Sequence, residues 1–180
     1  MKMNRVWQMP NSETFSIPVI GDFVQRYLAD ALVSIDPFSR NKRWATHTND
    51  LNPNTAAEHH MDAGEFLKKL ADEGVVADLV IIDPPYSPRQ VKECYDGIGI
   101  AMKKEDALLG AVRGALREQI QRLLSPSGRV LWFGWNTNGM GEKFDFVIEE
   151  ALLVSHGSDH NDTICMAERR KNIGQGSLFS

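Results

Sequence analysis

The chain has 180 residues and a mass of 20.2 kDa, with 42% hydrophobic and 24% charged residues, the composition of one ordinary globular domain. No apolar run approaches the roughly 20 residues that span a bilayer, and the opening MKMNRVWQMP lacks the apolar core of a secretion signal, so a cytoplasmic protein without a membrane partner is expected. A net charge of −4 does not announce a nucleic-acid binder; such contact has to come from a local patch.

Residues 1–14 are expected to be peripheral or flexible, and 172–180 to be a disordered tail. FVQRYLAD (23–30) has helical spacing at Phe23, Tyr27 and Leu28, and ALVSID (31–36) is a short apolar run ending in an acid. RWATHTNDLNP (43–53) predicts a second strand closing on Asp50, with Pro53 preventing continuation. EHHMDA (58–63) predicts a third, followed by a helix over GEFLKKLADEG (64–74) with Phe66, Leu67 and Leu70 as its stripe. ADLVII (77–82) is almost wholly apolar, as in a parallel sheet covered on both faces.

From 105 to 124, Leu109, Val112, Leu116, Ile120 and Leu123 recur at helical spacing, with SPSG as the stop. GRVLWFGW (128–135) predicts a fifth strand. FDFVIEEALLVSH (144–156) and DTICMAERR (162–170) predict an antiparallel hairpin that completes the sheet. Alternating strand and helix signals give an α/β class. No internal repeat or interdomain linker interrupts the chain. Cys94 and Cys165 lie far apart without metal-ligand spacing and read as reduced and structural.

Four acids stand out. Asp36, Asp50, Asp62 and Asp83 each fall at the carboxyl end of a predicted strand, and in a doubly wound sheet those ends border one ligand crevice. Acids also follow strands as turn formers and helix caps. Four in succession, the last within Asp83-Pro84-Pro85-Tyr86, ask for a chemical explanation.

The DPPY stretch after an apolar strand resembles the catalytic motif of S-adenosylmethionine-dependent amino methyltransferases acting on nucleic-acid bases, chiefly adenine-N6 DNA methyltransferases. IDPF (35–38), NDLNP (49–53) and MDAGEFL (61–67) appear in the order of that family's cofactor motifs, and FSIP (15–18) sits where an additional upstream motif lies. More narrowly, nearly the whole chain is similar to the short phage and prophage adenine methyltransferases. The resemblance implies a Rossmann-like methyltransferase fold with a mostly parallel seven-stranded sheet, an antiparallel final strand, and helices on both faces. It also implies S-adenosylmethionine as cofactor, DNA as partner, and a host or phage-infected bacterial cytoplasm.

Chemistry gives the motif an independent reason. The N6 amine of adenine is a poor nucleophile because its lone pair is delocalised into the ring. Two acceptors gripping its hydrogens draw the nitrogen toward tetrahedral geometry. Asp83 would supply a carboxylate oxygen and Pro84 its carbonyl, which a fixed φ holds in one direction. Tyr86 would stack on the base. Positioning then supplies much of the rate. The plain alternative is a rigid proline turn with a surface tyrosine.

On the cofactor side, Asp50 suits the ribose hydroxyls, as in other doubly wound nucleotide sites, with Leu51 beside it. By resemblance, Asp62 would accept from the cofactor's adenine, with Ala63 offering a neighbouring amide. Asp36 would face the ammonium, with Pro37 and Phe38 beside the methionine part and Phe15 closing that end; for Phe15 and Phe38, core packing competes. One departure stands out. The family continues DPF with glycines, whereas Ser39 and Arg40 occupy those places here. Arg40 is expected to pair with the cofactor carboxylate.

Nucleic-acid contact is expected from Arg40, Lys42, Arg43 and Trp44, with Arg89; Arg113 and Arg117, one helical turn apart, could add charge but read first as a solvated face. Lys103 and Lys104 extend this set. SPRQVKECYDGIGIAMKK (87–104) would be a mobile segment over the base, and GWNTNGMG (134–141) a loop bordering the crevice. There is no room for a large target-recognition domain, and a base inside a duplex would have to be flipped out. His156 and His160 have metal-ligand spacing but sit in a Gly/Asp turn, so no metal is expected. A homodimer stays open. The rivals are another amine acceptor (cytosine N4, RNA adenine or protein glutamine) and a non-catalytic DNA-binding relative with a degenerate cofactor loop. The cytosine-N4 family usually has Ser, and the glutamine family Asn, where this chain has Asp83.

Overall fold

The structure, a computed structural model, describes residues 1–99, 101, 109–157 and 160–171, with 109–113 described by backbone alone. Seven strands form one sheet: β1 (Lys2–Trp7), β2 (Ser34–Asp36), β3 (His47–Thr48), β4 (Ala77–Ile82), β5 (Leu124–Gly134), β6 (Phe146–Ser155) and β7 (Thr163–Arg170), in the order β1-β6-β7-β5-β4-β2-β3. All neighbours pair in parallel except β7, which runs antiparallel to both β5 and β6. Among the described residues, four helices accompany it: α1 (Pro18–Leu28), α2 (Ala63–Asp72), α3 (Pro88–Gly97) and α4 (Leu109–Leu123).

The period-2 alternation of β4 builds two cores. Leu79 and Ile81 meet Phe23 and Val24 of α1 with Leu131 and Phe133 of β5. Val80 and Ile82 meet Phe66 and Leu70 of α2 and Leu116 and Ile120 of α4. Helices therefore cover both faces, as the α/β reading expects.

Several elements differ from expectation in extent or kind. The strand predicted over 58–63 is a single parallel bridge, Asn49 to His59. The Asn49 side chain replaces the next rungs, accepting from Met61 N at 3.1 Å and donating to Met61 O at 3.0 Å. Asp62 then turns the chain into α2 as its N-cap. β1, by contrast, is an ordered edge strand within residues expected to be flexible or peripheral, paired to β6 from Lys2↔Glu150 to Trp7↔Ser155.

The helix predicted over 23–30 starts earlier, at Pro18, whose missing N–H costs nothing at N1. α4 stops at Leu123, just ahead of SPSG as expected, but no loop follows: β5 begins at Leu124 and contains all four residues. Gly128 is required there, because a Cβ would meet Leu124 Cγ at 2.7 Å and Ala77 O at 3.1 Å. The first part of the segment expected to be mobile is α3, capped by Ser87 Oγ accepting from Gln90 N at 3.2 Å. Its later part, including Lys103 and Lys104, lies outside the described residues, as do the tail at 172–180 and residues 158 and 159 of the hairpin turn.

Candidate active site

The carboxyl ends of β2 and β4 bring Asp36 and Asp83 together. Asp36 is 2% exposed, and a single backbone amide, that of Phe38, donates to its carboxylate at 2.9 Å. Burial, followed by the nearby charges of Asp83 and Asp50, pushes its carboxyl up to about 8. Asp83 is pushed up by burial as well, opposed by the hydroxyls of Tyr86 and Thr14 and by the Arg40 charge. The Tyr86 hydroxyl donates to Asp83 Oδ1, and the tyrosine's own titration moves well upward through burial and this carboxylate. Cys165 is buried behind the pair, and that burial raises its thiol.

The turn after β4 is held from both sides. Gln90 of α3 accepts from Tyr86 N at 2.6 Å, and Tyr86 packs at 62° against Trp135, with ring centroids 5.5 Å apart. Pro84 is buried and Pro85 half-buried. A narrow cleft runs alongside, lined by Glu13, Thr14, Phe15, Phe38, Ser39, Arg40, Asn41, Lys42 and Asp83. Phe15 is anchored at its foot, stacked on Trp44 at 6.0 Å and edge-on to Phe133 at 5.1 Å. Core packing and cleft lining are thus the same position for Phe15, and Phe38 likewise packs on the α2/α4 core.

The loop after β2 resolves the missing glycines. Arg40 adopts φ +50°, the left-handed region that glycine enters freely. Its amide is held there by Asp50 Oδ2 at 3.1 Å, while Asp50 Oδ1 accepts from Asn52 N at 2.8 Å. Ser39 closes the turn through Lys42 N at 2.8 Å and Asn49 O. The Arg40 guanidinium donates to Ser12 O at 2.8 Å, tying the loop to the segment that leads into Thr14.

Other candidates stand farther out or have structural work. Asp62 is exposed, and its Oδ1 caps α2 through Gly64 N at 2.8 Å and Glu65 N at 3.1 Å; Ala63 is the first helical residue. Leu51 is half-buried and Arg43 exposed. Lys42 lies over the Trp44 ring at 5.3 Å. Arg89 sits on α3 and pairs with Glu93 at 2.8 Å. His156 is buried between Gln8 O and Thr163 Oγ1, each 2.9 Å from one ring nitrogen. Among the described residues no group of His, Cys, Asp or Glu could hold a metal ion, and no helix is long and apolar enough to cross a membrane.

Three participants carry no sequence signal of their own. Thr14 is one hydroxyl among many polar residues, marked only by preceding Phe15. Trp135 reads as the end of an apolar strand. Glu168, on β7, is 1% exposed and accepts from Met140 N at 2.7 Å and Gly141 N at 3.1 Å in the loop after β5; its role exists only once the sheet has formed.

No family model and no curated protein matches the chain. Solved structures do. TrmN from Thermus thermophilus is 16% identical with a TM-score of 0.56, over 86% of this chain and 49% of that one. SMU.776 complexed with SAH is 14% identical with a TM-score of 0.55, over 81% and 48%. The Escherichia coli protein yhhF is 11% identical with a TM-score of 0.53, over 92% of both chains. The chain spans about half the length of the first two. At these identities the likeness establishes the fold, which is the Rossmann-like fold of methyltransferases.

Proposed function

We propose that this domain transfers a methyl group from S-adenosylmethionine to the N6 amine of adenine in DNA. The observation that carries the reading is the half-buried Asp83, beside Asp36 at adjoining strand ends and accepting a hydrogen bond from the Tyr86 hydroxyl. A carboxylate that takes the Tyr86 O–H on Oδ1 keeps further lone pairs with which to take an amine N–H. Pro84 adds a carbonyl of fixed direction.

The residues also fit the cofactor. Asp36 is a buried carboxylate with one amide donor, a shortage that a cationic ligand would relieve. Asp50 can accept ribose hydroxyls through lone pairs left by its two backbone amides, while Phe15 and Phe38 offer apolar walls. SMU.776, of the same fold, is complexed with SAH. Bound there, the cofactor supplies an electrophilic methyl carbon on a positively charged sulfur.

Asp83 and Pro84 hold the amine hydrogens so that the nitrogen lone pair points at that carbon. The new C–N bond would replace the C–S bond, whose electrons would stay on sulfur, and the extra proton of the product held by Asp83 and Pro84 would leave to water. Arg40 keeps the loop shape by backbone conformation, which favours an active protein over a degenerate relative; its guanidinium would have to leave Ser12 to reach the cofactor carboxylate. Lys42, Trp44 and Arg43 would meet the DNA near the cleft, with Arg89 at the rim. Incubation with methyl-labelled cofactor and a mixture of DNA, RNA and protein acceptors, followed by nucleoside analysis, tests this: label is expected in N6-methyldeoxyadenosine. Label confined to RNA, cytosine or protein glutamine would refute the substrate.

A further inference from the structure

Trp135 is an apolar side chain left 39% exposed beside Tyr86, although the four preceding residues of β5 are buried. Its place follows from register. Ile82 pairs with Trp132, so as β4 ends and Asp83 leaves it, β5 runs on to present Trp135 at the same end of the sheet. There it meets Tyr86 at 62° and 5.5 Å. Rings at that angle leave no slot between them. They make a corner, in which a third planar ring can lie on one face and meet the other edge-on.

The loop that follows Trp135 is pinned from two sides. Glu168 takes the amides of Met140 and Gly141, and Arg117 of α4 donates to Gly139 O at 2.6 Å and to Asn138 O. A Cβ at Gly139 would lie 2.0 Å from Glu168 Oε2, so any other residue there would push the carboxylate off the two amides. A buried carboxylate committed to two loop amides is costly unless it fixes something. What it fixes is the exit of the strand that carries Trp135.

We propose that Trp135 forms, with Tyr86, the acceptor subsite: an aromatic corner that takes a nucleobase drawn out of its stack. This rests on the amino-methyltransferase reading and narrows its substrate. A purine fills a corner built from a phenol and an indole, whereas a glutamine amide has no ring face to offer, so Trp135 selects ring acceptors. A base within a duplex has both faces covered by neighbours and cannot enter without flipping.

The experiment is steady-state methyl transfer to a single-stranded oligonucleotide bearing one adenine, using wild type, Trp135→Leu and Trp135→Phe, with calorimetry of S-adenosylmethionine binding to each. Trp135→Leu is expected to raise KM for the oligonucleotide about tenfold to hundredfold with little change in kcat, and Trp135→Phe to recover most of it. Cofactor affinity should be equal in all three, which also reports an intact fold. A KM within twofold of wild type in Trp135→Leu, or a loss confined to kcat, would overturn the corner and leave Trp135 as a brace for Tyr86. A wild type that methylates protein glutamine and no nucleic acid would overturn the reading beneath it, and the corner too.

Discussion

Two buried carboxylates of the same sheet are treated in opposite ways. Glu150 on β6, 6% exposed, receives the Arg26 guanidinium through both oxygens at 2.8 and 3.0 Å, the Tyr27 hydroxyl at 2.9 Å, and Lys2 at 3.3 Å. The Arg26 hydrogen bond leads in holding its carboxyl down to about 2, against burial. Asp36, 2% exposed at the end of β2, has one amide donor and two acids for neighbours, and is pushed up to about 8. The first acid belongs to the scaffold: it ties α1 and β1 to β6 and is charged at every working pH. Among the described residues, no cation pairs with the second. That contrast is what supports the proposal that Asp36 meets a ligand carrying its own positive charge.

Breaking the contrast at Asp36 has the largest expected effect. A carboxyl whose folded pKa lies above its unfolded value destabilises the folded state increasingly as pH rises from about 4, and fully above about 8. Asp36→Asn keeps the acceptor for Phe38 N and removes the charge. It should unfold at higher urea than wild type at pH 8, by about 5 kcal/mol, with the difference vanishing near pH 4. A variant less stable than wild type at pH 8 would mean that Asp36 is already satisfied.

The same proton sharpens the comparison through binding. If S-adenosylmethionine requires ionised Asp36, affinity should climb about tenfold per pH unit between 6 and 8, and calorimetry in buffers of different ionisation enthalpy should detect a released proton. Asp36→Asn should bind more weakly with a flat profile. A flat wild-type profile would separate Asp36 from the cofactor.

Glu150 should behave in the opposite sense. Its folded pKa lies below the unfolded one, so its contribution is present above about 4.5 and is lost as pH falls toward about 2. Glu150→Gln should cost about 1–2 kcal/mol at pH 7, a figure reduced by the half-exposed Arg26 and Lys2, and should converge with wild type at low pH in acid unfolding curves. The smallest effect belongs to Thr14. Removing one of the two hydroxyls beside Asp83 in Thr14→Val should lower kcat a few-fold, within about 1 kcal/mol, with cofactor affinity unchanged; a loss of affinity instead would assign Thr14 to the cofactor.

What the residues disclosed in advance divides along the same line. β4, the split of its side chains between two cores, and the acids at the strand ends were legible because burial writes a period into the sequence. β1 was not, since Lys2, Asn4 and Arg5 carry no apolar alternation; its order comes from the backbone ladder to β6 and from Glu150, 148 positions beyond Lys2 in the chain. The strand expected over 58–63 had the right composition, but Asn49 took its rungs with a side chain. At the site, the acids and DPPY announced themselves by residue type. Thr14, Trp135 and the Glu168–Arg117 pin did not, because each acts on a partner supplied by a distant strand or loop. Arg40 is the subtler case: its letter argues against a glycine-like turn, yet Asp50 holds its backbone in one.

The most direct measurement pairs calorimetry with turnover on Asp83→Ala. S-adenosylmethionine should bind within a few-fold of wild type, because Asp36, Asp50 and the loop are untouched, while methyl transfer to adenine should fall by about a thousandfold or more. Turnover retained at the wild-type level would contradict the role given to the carboxylate at the end of β4.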